Sequence, residues 1–222
     1  MTLDRGGRLV LQYLTKKLIK MKQKDTREKI LRAAEEVFAR DGFAGARIQQ
    51  ISQKAGINQA MIYYYFSSKE NLYQMVLKKA FLWLNQALSG ALSENLDFAH
   101  KFHRFIGLYF DLISQNRNFT QIIQQELANG GKHARQIAPQ YIRPLYLMGR
   151  KLIEEGIASG ECRPLDIDSL LLTIFTLTTF YFAASSMVSF ARNTNTLEPE
   201  MTEKRTKEVI ELILKGIRKD RG

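Results

Sequence analysis

Apolar residues recur every three or four positions along most of the chain, which is the spacing of one face of a helix. The segment 98–113 shows this clearly, as does 209–217 near the C-terminus. No run alternates apolar and polar residues between turn dipeptides, as a half-buried strand would. The pattern therefore predicts an all-α protein of about nine helices.

Capping and breaking residues divide this pattern into separate helices. Asp25-x-x-Glu28 and Ser67-x-x-Glu70 have the form of helix N-caps, with an acid three positions on. Asp41-Gly42 and 129–131 are typical helix ends. Prolines at 139 and 144 lie in an otherwise helical segment, so we expect that helix to start late or to kink.

The segment 48–66 predicts a helix, a tight turn and a second helix. Gly56 suits the left-handed conformation that the turn requires, and Asn58 suits the N-cap of the second helix. Ile62 and Phe66, four positions apart, would anchor that helix to the core. A helix-turn-helix needs this arrangement, because its second helix buries one side while the other enters the major groove. The outward side then carries Gln59, Ala60, Tyr63 and Tyr64.

These features resemble the N-terminal domain of the TetR family of bacterial transcriptional repressors, over 24–77. The motifs that carry the resemblance are Ala33-Ala34-x3-Phe38, Gly42-Phe43, Ile51-x3-Ala55-Gly56-Ile57, Ile62-Tyr63-x-Tyr65-Phe66 and Ser68-Lys69-Glu70-x-Leu72. The resemblance implies that Gln59, Ala60, Tyr63 and Tyr64 lie on the recognition helix. It further implies that Lys69 meets a phosphate and that Gln49, on the preceding helix, contacts DNA.

Two residues of this segment, Arg47 and Tyr65, have roles that the motif alone does not decide. Arg47 stands where the family usually has a capping Ser or Thr, so a cap worth about 1 kcal/mol is lost. Arg47 either grips a phosphate or lies along the surface with its charge in solvent. The second is Tyr65, which sits nearer the buried face than Tyr63 or Tyr64 and is expected to pack in the core.

Charge is concentrated at the N-terminus. The chain has 33 Lys and Arg against 22 Asp and Glu, and residues 1–24 alone carry seven basic and one acidic side chain. We therefore divide the chain into a basic extension at 1–24, a DNA-binding domain at 25–70 and a helical domain at 71–222. The extension is a basic arm that lies along DNA, a disordered or partly helical tail, or a stretch upstream of a true start at Met21.

The segment 169–191 has no charged residue over 23 positions, which is long enough to span a bilayer. Its Ser and Thr content and its charged flanks favour a helix buried in a core or a dimer interface. With 201–218 it would form the interface of a homodimer, which is where the TetR resemblance also places it. No secretory signal is visible, because the apolar run near residues 9–14 ends at 15–17. We expect a cytoplasmic protein that does not bind a membrane.

The helices of the C-terminal domain carry aromatic residues with a few polar tips, a composition that suits either an ordinary core or an apolar pocket. A pocket would take a small hydrophobic effector. The candidate lining residues are Phe102, His103, Phe105, Tyr109, Phe119, Tyr141, Tyr146, Phe175, Thr176 and Thr179.

Catalytic and metal chemistry finds little support in the sequence. It contains no nucleophile elbow and no phosphate-binding glycine loop, so we expect no enzyme and no cofactor. His100 and His103 have ligand spacing, but only Asp97 is near as a third donor, and we expect no metal site. Cys162 lacks a flanking histidine or basic pair and is predicted to be a passive thiol.

Together these features predict a homodimeric, ligand-responsive repressor that binds a pseudo-palindromic operator. Two alternatives remain at the level of sequence. A membrane-tethered regulator would use 169–191 as a span, and a constitutive DNA-binding protein would lack an inducer.

Overall fold

A computed structural model describes residues 5–92 and 96–219. Within these ranges every element is helical, apart from an isolated bridge between Cys162 and Arg218, so the all-α prediction is confirmed. The α-helices are α1 (Arg5–Gly45), α2 (Ile48–Ala55), α3 (Gln59–Phe66), α4 (Lys69–Ala91), α5 (Phe98–Gln115), α6 (Arg117–Ala128), α7 (Lys132–Ile137), α8 (Arg143–Ala158), α9 (Ile167–Arg192) and α10 (Pro199–Ile217). The chain divides into two compact units between Val76 and Leu77, within α4.

The first helix is longer than its capping signals predict. It begins at Arg5, so Asp25 lies inside it and is not an N-cap. Residues 8–24 contain no Gly or Pro and are rich in Leu, Lys and Gln, which favour helix. Residues 1–4 of the basic extension lie outside the described residues. Helical backbone angles break at Gly42, whose φ of 71° is favourable only for glycine.

The first unit is built from α1, α2, α3 and the start of α4. The Phe38 ring meets the Tyr73 ring edge-on, with centroids 4.8 Å apart, and Ile30, Ile51 and Ile62 are completely buried. This core holds α3 against α1 and α2 and leaves the other side of α3 exposed.

The start of α4 differs by one residue from the predicted cap. Ser67 has a φ of 62° and ends α3, while Ser68 Oγ accepts the backbone N–H of Asn71 at 3.1 Å. Ser68, rather than Ser67, is therefore the residue that caps α4.

In the second unit, α5 is the central helix and packs against α6, α8, α9 and α10. Phe102 and Phe110 of α5 are completely buried. The predicted kink at the prolines is present, because a π-helical turn at Ala138–Ile142 separates α7 from α8 and Pro144 lies in the first turn of α8. Residues of both α7 and α8 line one cavity.

Candidate nucleic-acid interface and effector cavity

The turn between α2 and α3 has the predicted geometry. Gly56 adopts φ 66° and ψ 38°, and its N–H donates to the carbonyls of Ser52 and Gln53. Asn58 caps α3, since its Oδ1 accepts the backbone N–H of Ala60 at 2.9 Å. The tight turn and the cap together fix the direction in which α3 leaves α2.

One side of α3 is buried and the other is open to solvent. Ile62 and Phe66 are buried in the first unit, as the sequence predicts. The outward side chains are Gln59, Ala60, Tyr63 and Tyr64, all of them exposed. Tyr64 extends furthest, with 75% of its surface exposed. α3 thus presents amide, methyl and phenol groups on one surface, the groups that bond base edges and phosphates.

The start of α2 is capped in a way that the sequence analysis missed. Arg47 has no acceptor in its side chain, but its backbone N–H donates to Gln50 Oε1 at 2.8 Å. This is one half of a capping box, in which Gln50 accepts the backbone N–H of Arg47; the backbone N–H in the first turn that a Ser or Thr side chain would accept gains no bond from the Arg47 side chain. The side chains of Arg47 and Gln49 are exposed at this end of α2.

Lys69 lies against its own domain more closely than the resemblance implies. Its Nζ is 4.8 Å from the centroid of the Phe43 ring and 3.4 Å from the carbonyl oxygen of Ala44. Partial burial lowers the pKa of Lys69. Tyr65 is half-buried and meets the Tyr64 ring edge-on, with centroids 5.2 Å apart.

The second unit contains a cavity of about 430 Å³ with mainly apolar walls. Six of the predicted residues line it, namely Phe105, Tyr109, Phe119, Tyr146, Phe175 and Thr179. Further walls come from residues that the sequence analysis did not select, among them Phe81, Leu84, Ile113, Glu126, Ile142, Leu145 and Leu171. A cavity of this size is within the range of small-molecule sites.

Four predicted residues do not line this cavity. Phe102 is completely buried and packs on Phe98, with ring centroids 5.6 Å apart. His103 and Thr176 are exposed, because each lies on the outer side of its helix. Tyr141 belongs to the π-helical turn, and its carbonyl oxygen accepts Asn85 Nδ2 at 2.7 Å. The additional residue per turn of that segment rotates its side chains relative to a regular helix.

Two polar groups lie deep in the cavity. Thr179 is buried, and its Oγ1 makes no hydrogen bond of ordinary geometry with the described residues. The Tyr109 phenol faces Thr179, and burial raises the pKa of Tyr109 to about 12. Tyr109 therefore keeps its proton at neutral pH and can donate a hydrogen bond inside an apolar site.

A buried hydrogen-bonded contact between Glu126 and His133 borders the same cavity. Glu126 Oε1 lies 2.9 Å from His133 Nδ1, and Glu126 Oε2 accepts the backbone N–H groups of His133 and Ala134 at 3.2 and 3.0 Å. Both side chains are buried. No local sequence pattern predicts the contact between Glu126 and His133, since it is the turn at Gly130 and Gly131 that brings His133 back onto α6.

Charged groups occupy the exposed end of the cavity, where α8 meets the start of α9. The Tyr146 hydroxyl donates to Asp168, and Arg150 Nη1 donates to Asp168 Oδ1 at 2.6 Å. Arg150 Nε also donates to Glu154 Oε1 at 2.9 Å. Tyr146 and Asp168 both line the cavity, so its polarity rises toward solvent.

The helix α9 is apolar but largely uncovered within one chain. Of the described residues, it is the one helix that is long and apolar enough to cross a membrane, and only 22% of its most apolar window is buried. Phe180, Met187 and Phe190 are exposed, Phe190 by 90% of its surface. With Ala183 they recur at intervals of three and four residues and form one stripe along α9.

The remaining candidates for chemistry form no site within 5–92 and 96–219. No group of three or more His, Cys, Asp or Glu side chains in these ranges is placed to hold a metal ion. The exposed His100 pairs with Asp97, its Nδ1 lying 2.7 Å from Asp97 Oδ1. Cys162 is a buried free thiol.

Comparison with known families finds two matching sequence profiles. Residues 30–76 match "Bacterial regulatory proteins, tetR family", and residues 99–213 match "Tetracyclin repressor-like, C-terminal domain". The second match alone covers more than half of the chain.

Curated relatives are similar over nearly the whole chain. The chain is 30% identical over 203 residues to "HTH-type transcriptional repressor NicS" of Pseudomonas putida, which covers 87% of this chain and 93% of that protein. It is 28% identical over 191 residues to "HTH-type transcriptional regulator RutR" of Escherichia coli, covering 85% of this chain and 89% of that one.

Solved structures share the fold. A tetR-family regulatory protein from Rhodococcus superposes with a TM-score of 0.74 and 20% identity, covering 88% of this chain and 98% of the other. FadR from Bacillus subtilis, solved in complex with stearoyl-CoA, superposes with a TM-score of 0.71 and 23% identity, covering 86% and 99%.

Proposed function

Since the chain belongs to the TetR family of bacterial transcriptional regulators, we propose that it is a cytoplasmic repressor that binds a pseudo-palindromic operator as a homodimer. Members of this family are DNA-binding regulators and not enzymes. The single observation that carries the proposal is the exposed side of α3, held by Ile62 and Phe66 on its buried side. NicS, which is similar over most of its length, is named a repressor.

We assign sequence reading to 25–70 and, within it, to the outward groups of α3. Gln59 would bond an adenine edge, and Ala60 would contact a thymine methyl group. The hydroxyls of Tyr63 and Tyr64 would bond phosphates. The flanking phosphate contacts would come from Arg47, Gln49 and Lys69. The Lys69 ammonium group lies 3.4 Å from the Ala44 carbonyl oxygen, and its remaining N–H groups would donate to the phosphate.

The second unit, within 71–222, would supply the dimer and the effector site. The exposed apolar stripe of α9 needs a cover, and a second copy of α9 together with α10 would provide one. Such a dimer would place two recognition helices on one side of the duplex, with half-site centres about one helical turn apart. This is why we propose a pseudo-palindromic operator.

The effector that fits the cavity is a small hydrophobic compound with a polar group. The walls of the cavity are mainly apolar, and Tyr109 and Thr179 supply hydrogen-bonding groups deep inside it. The FadR structure that shares this fold contains stearoyl-CoA, a ligand with a long apolar chain. Effector binding would favour a state of the dimer in which the two recognition helices no longer match the half-sites.

DNA binding is tested by gel shift on duplexes from the region upstream of the protein's own gene. We expect wild type to bind one of these duplexes in preference to random DNA. Gln59→Ala should reduce this preference by roughly 1–3 kcal/mol, whereas Lys69→Ala should weaken specific and random DNA alike. Equal loss on both DNAs for Gln59→Ala would contradict the base-reading role of Gln59.

The effector is tested by thermal-shift screening of a hydrophobic compound library, followed by release from the bound duplex. A true effector stabilises the free protein and lowers its DNA affinity, and DNA must weaken effector binding by the same factor. A compound that stabilises the protein without changing DNA affinity is not an inducer. If no compound releases DNA, the protein is a constitutive DNA-binding protein. Sedimentation with membranes in detergent-free extracts would instead indicate a tethered regulator.

A further inference from the structure

The N-terminal half of α1 carries basic side chains on one side of the helix. Lys17, Lys20 and Lys24 are exposed, and Arg27 follows on the same side. Their spacing of three, four and three residues is that of a single helical face. We call these four residues the basic stripe. At 1.5 Å per residue, the basic stripe is about 15 Å long.

The basic stripe faces the end of the recognition helix. The four basic residues, together with Met21, Gln23 and Tyr65, line a groove of about 500 Å³, and none of the described residues that line it is acidic. Tyr65 is the neighbour of Tyr64, whose ring it meets edge-on. Arg27 connects the two elements, because its guanidinium lies 5.3 Å from the centroid of the Phe66 ring at the end of α3.

We propose that the basic stripe binds the phosphate backbone of duplex DNA just outside the half-site that α3 reads. The proposal rests on charge complementarity, since three ammonium groups and one guanidinium group along a groove with no acidic residue among its described lining suit a row of phosphates. Each DNA strand has one phosphate per 3.4 Å of axis, so about 15 Å corresponds to roughly four successive phosphates. The groove adjoins α3, and DNA held by α3 therefore passes close to the stripe.

The contacts would be electrostatic and independent of base sequence. Lysine side chains on an exposed helix carry flexible point charges and no fixed hydrogen-bonding pattern. The stripe therefore adds affinity and lengthens the DNA footprint without changing which operator is chosen. The inference rests on the proposed DNA binding by α3. The experiment distinguishes a stripe that does not contact DNA from an α3 that does not read DNA.

The test compares two double variants of equal charge. K17Q/K20Q removes two members of the basic stripe, whereas K22Q/K29Q removes two exposed lysines that lie outside the groove. Lys22 and Lys29 lie roughly 120–180° around α1 from Lys17 and Lys20, because successive residues are about 100° apart. Binding is followed by fluorescence anisotropy at several KCl concentrations. The two duplexes end at the outer edge of each half-site or extend about ten base pairs beyond it.

We expect wild type and K22Q/K29Q to bind the extended duplex about tenfold more tightly than the short one at low salt. K17Q/K20Q should lose this gain. Its plot of log affinity against log salt on the extended duplex should become shallower by roughly two to four units, at about 0.9 per lost phosphate contact in a dimer. On the short duplex the preference for operator over random DNA should be unchanged.

Two results of the anisotropy experiment would overturn the inference and leave the proposed function intact. One is specific binding by wild type that does not depend on the flanks. The other is an equal salt slope for the two double variants. Binding of wild type, but not K17Q/K20Q, to phosphatidylglycerol vesicles without a change in DNA slope would assign the stripe to a membrane surface and also overturn it. Absence of any operator preference in wild type would overturn both proposals.

Discussion

Gly156 of α8 lies directly against the ring of Phe98 of α5. A β-carbon at residue 156 would fall 2.5 Å from Phe98 Cδ2 and 2.8 Å from Cys162 Sγ. Real side chains do not approach this closely, so the contact between α5 and α8 depends on the absence of a side chain at residue 156. Residues of these two helices also line the cavity of the second unit, and their separation sets part of its width.

Gly156→Ala should therefore destabilise the protein by about 1–3 kcal/mol through overpacking. Gly107→Ala is the matched control on α5, because a β-carbon there would meet nothing within 4 Å. That control should be neutral or stabilising by about 0.5–1 kcal/mol, since a helix is more stable with alanine than with glycine in its interior. Urea unfolding of both variants checks the prediction. Equal stabilities would contradict the close packing.

Cys162 should be an unreactive thiol in the folded protein. Burial, and to a smaller extent the charge of Glu161, raise the pKa of Cys162 from 9.0 to about 11, so little thiolate forms at pH 8. The folded protein therefore holds this proton more tightly than the unfolded chain. The resulting stability is complete below pH 9 and is lost as the pH rises toward 11.

Labelling with a chromogenic disulfide reagent measures this directly, because the chain has one cysteine. We expect labelling at pH 8 to be much slower in buffer than in guanidinium chloride, which exposes the thiol. In buffer the rate should continue to rise above pH 9. Fast labelling of the native protein at pH 8 would contradict the burial of Cys162.

The helix-turn-helix could be predicted in detail because its signals are local. The turn depends on Gly56, the cap on Asn58 and the packing on two residues four positions apart, and all of these lie within one short segment. Local reasoning failed where competing signals were present. Asp25 has the form of a cap, but the helix-favouring residues before it extend α1 through it.

The cavity could be predicted only in part, because helix phase does not determine which helices meet. Phe105 and Tyr109 lie one turn apart on α5 and both line the cavity, as predicted. His103 was placed on the wrong side of the same helix. Glu126 and His133 were missed, since their contact forms only when the chain reverses between α6 and α7.

Part of the segment predicted to form the dimer interface is covered within one chain. Ala184 lies within the segment 169–191 that the sequence predicts as a dimer interface, but it is half-buried within its own chain. Phe182 packs on Phe110, with ring centroids 6.2 Å apart, and is likewise occupied internally. The exposed apolar stripe of α9 instead runs through Phe180, Ala183, Met187 and Phe190. Substitutions that test the interface should therefore be made in the stripe.

If the stripe forms the proposed dimer interface, Met187→Arg should yield a monomer, because it places a charge in the middle of an apolar contact. Leu82→Arg is the control, since Leu82 is also an exposed apolar residue but lies on α4. Light scattering after size exclusion distinguishes the two masses. A Met187→Arg protein that remains dimeric would place the interface elsewhere, and a Leu82→Arg monomer would indicate a general loss of structure.

The last prediction concerns the two polar groups deep in the cavity. Tyr109→Phe removes one hydroxyl and keeps the ring, and Thr179→Val removes the other and keeps the shape. An effector that places an oxygen between them should lose roughly 1–1.5 kcal/mol with either variant, which is about tenfold in affinity. An analogue of the same compound that lacks the oxygen should bind wild type and both variants equally. Because Tyr109 stays protonated to about pH 12, the loss should not change between pH 6 and 9.

Isothermal titration of the compound and its analogue against the three proteins measures these differences. An equal loss for both compounds would show that the variants alter the shape of the cavity, and no loss would place the effector's polar group at the Tyr146 end.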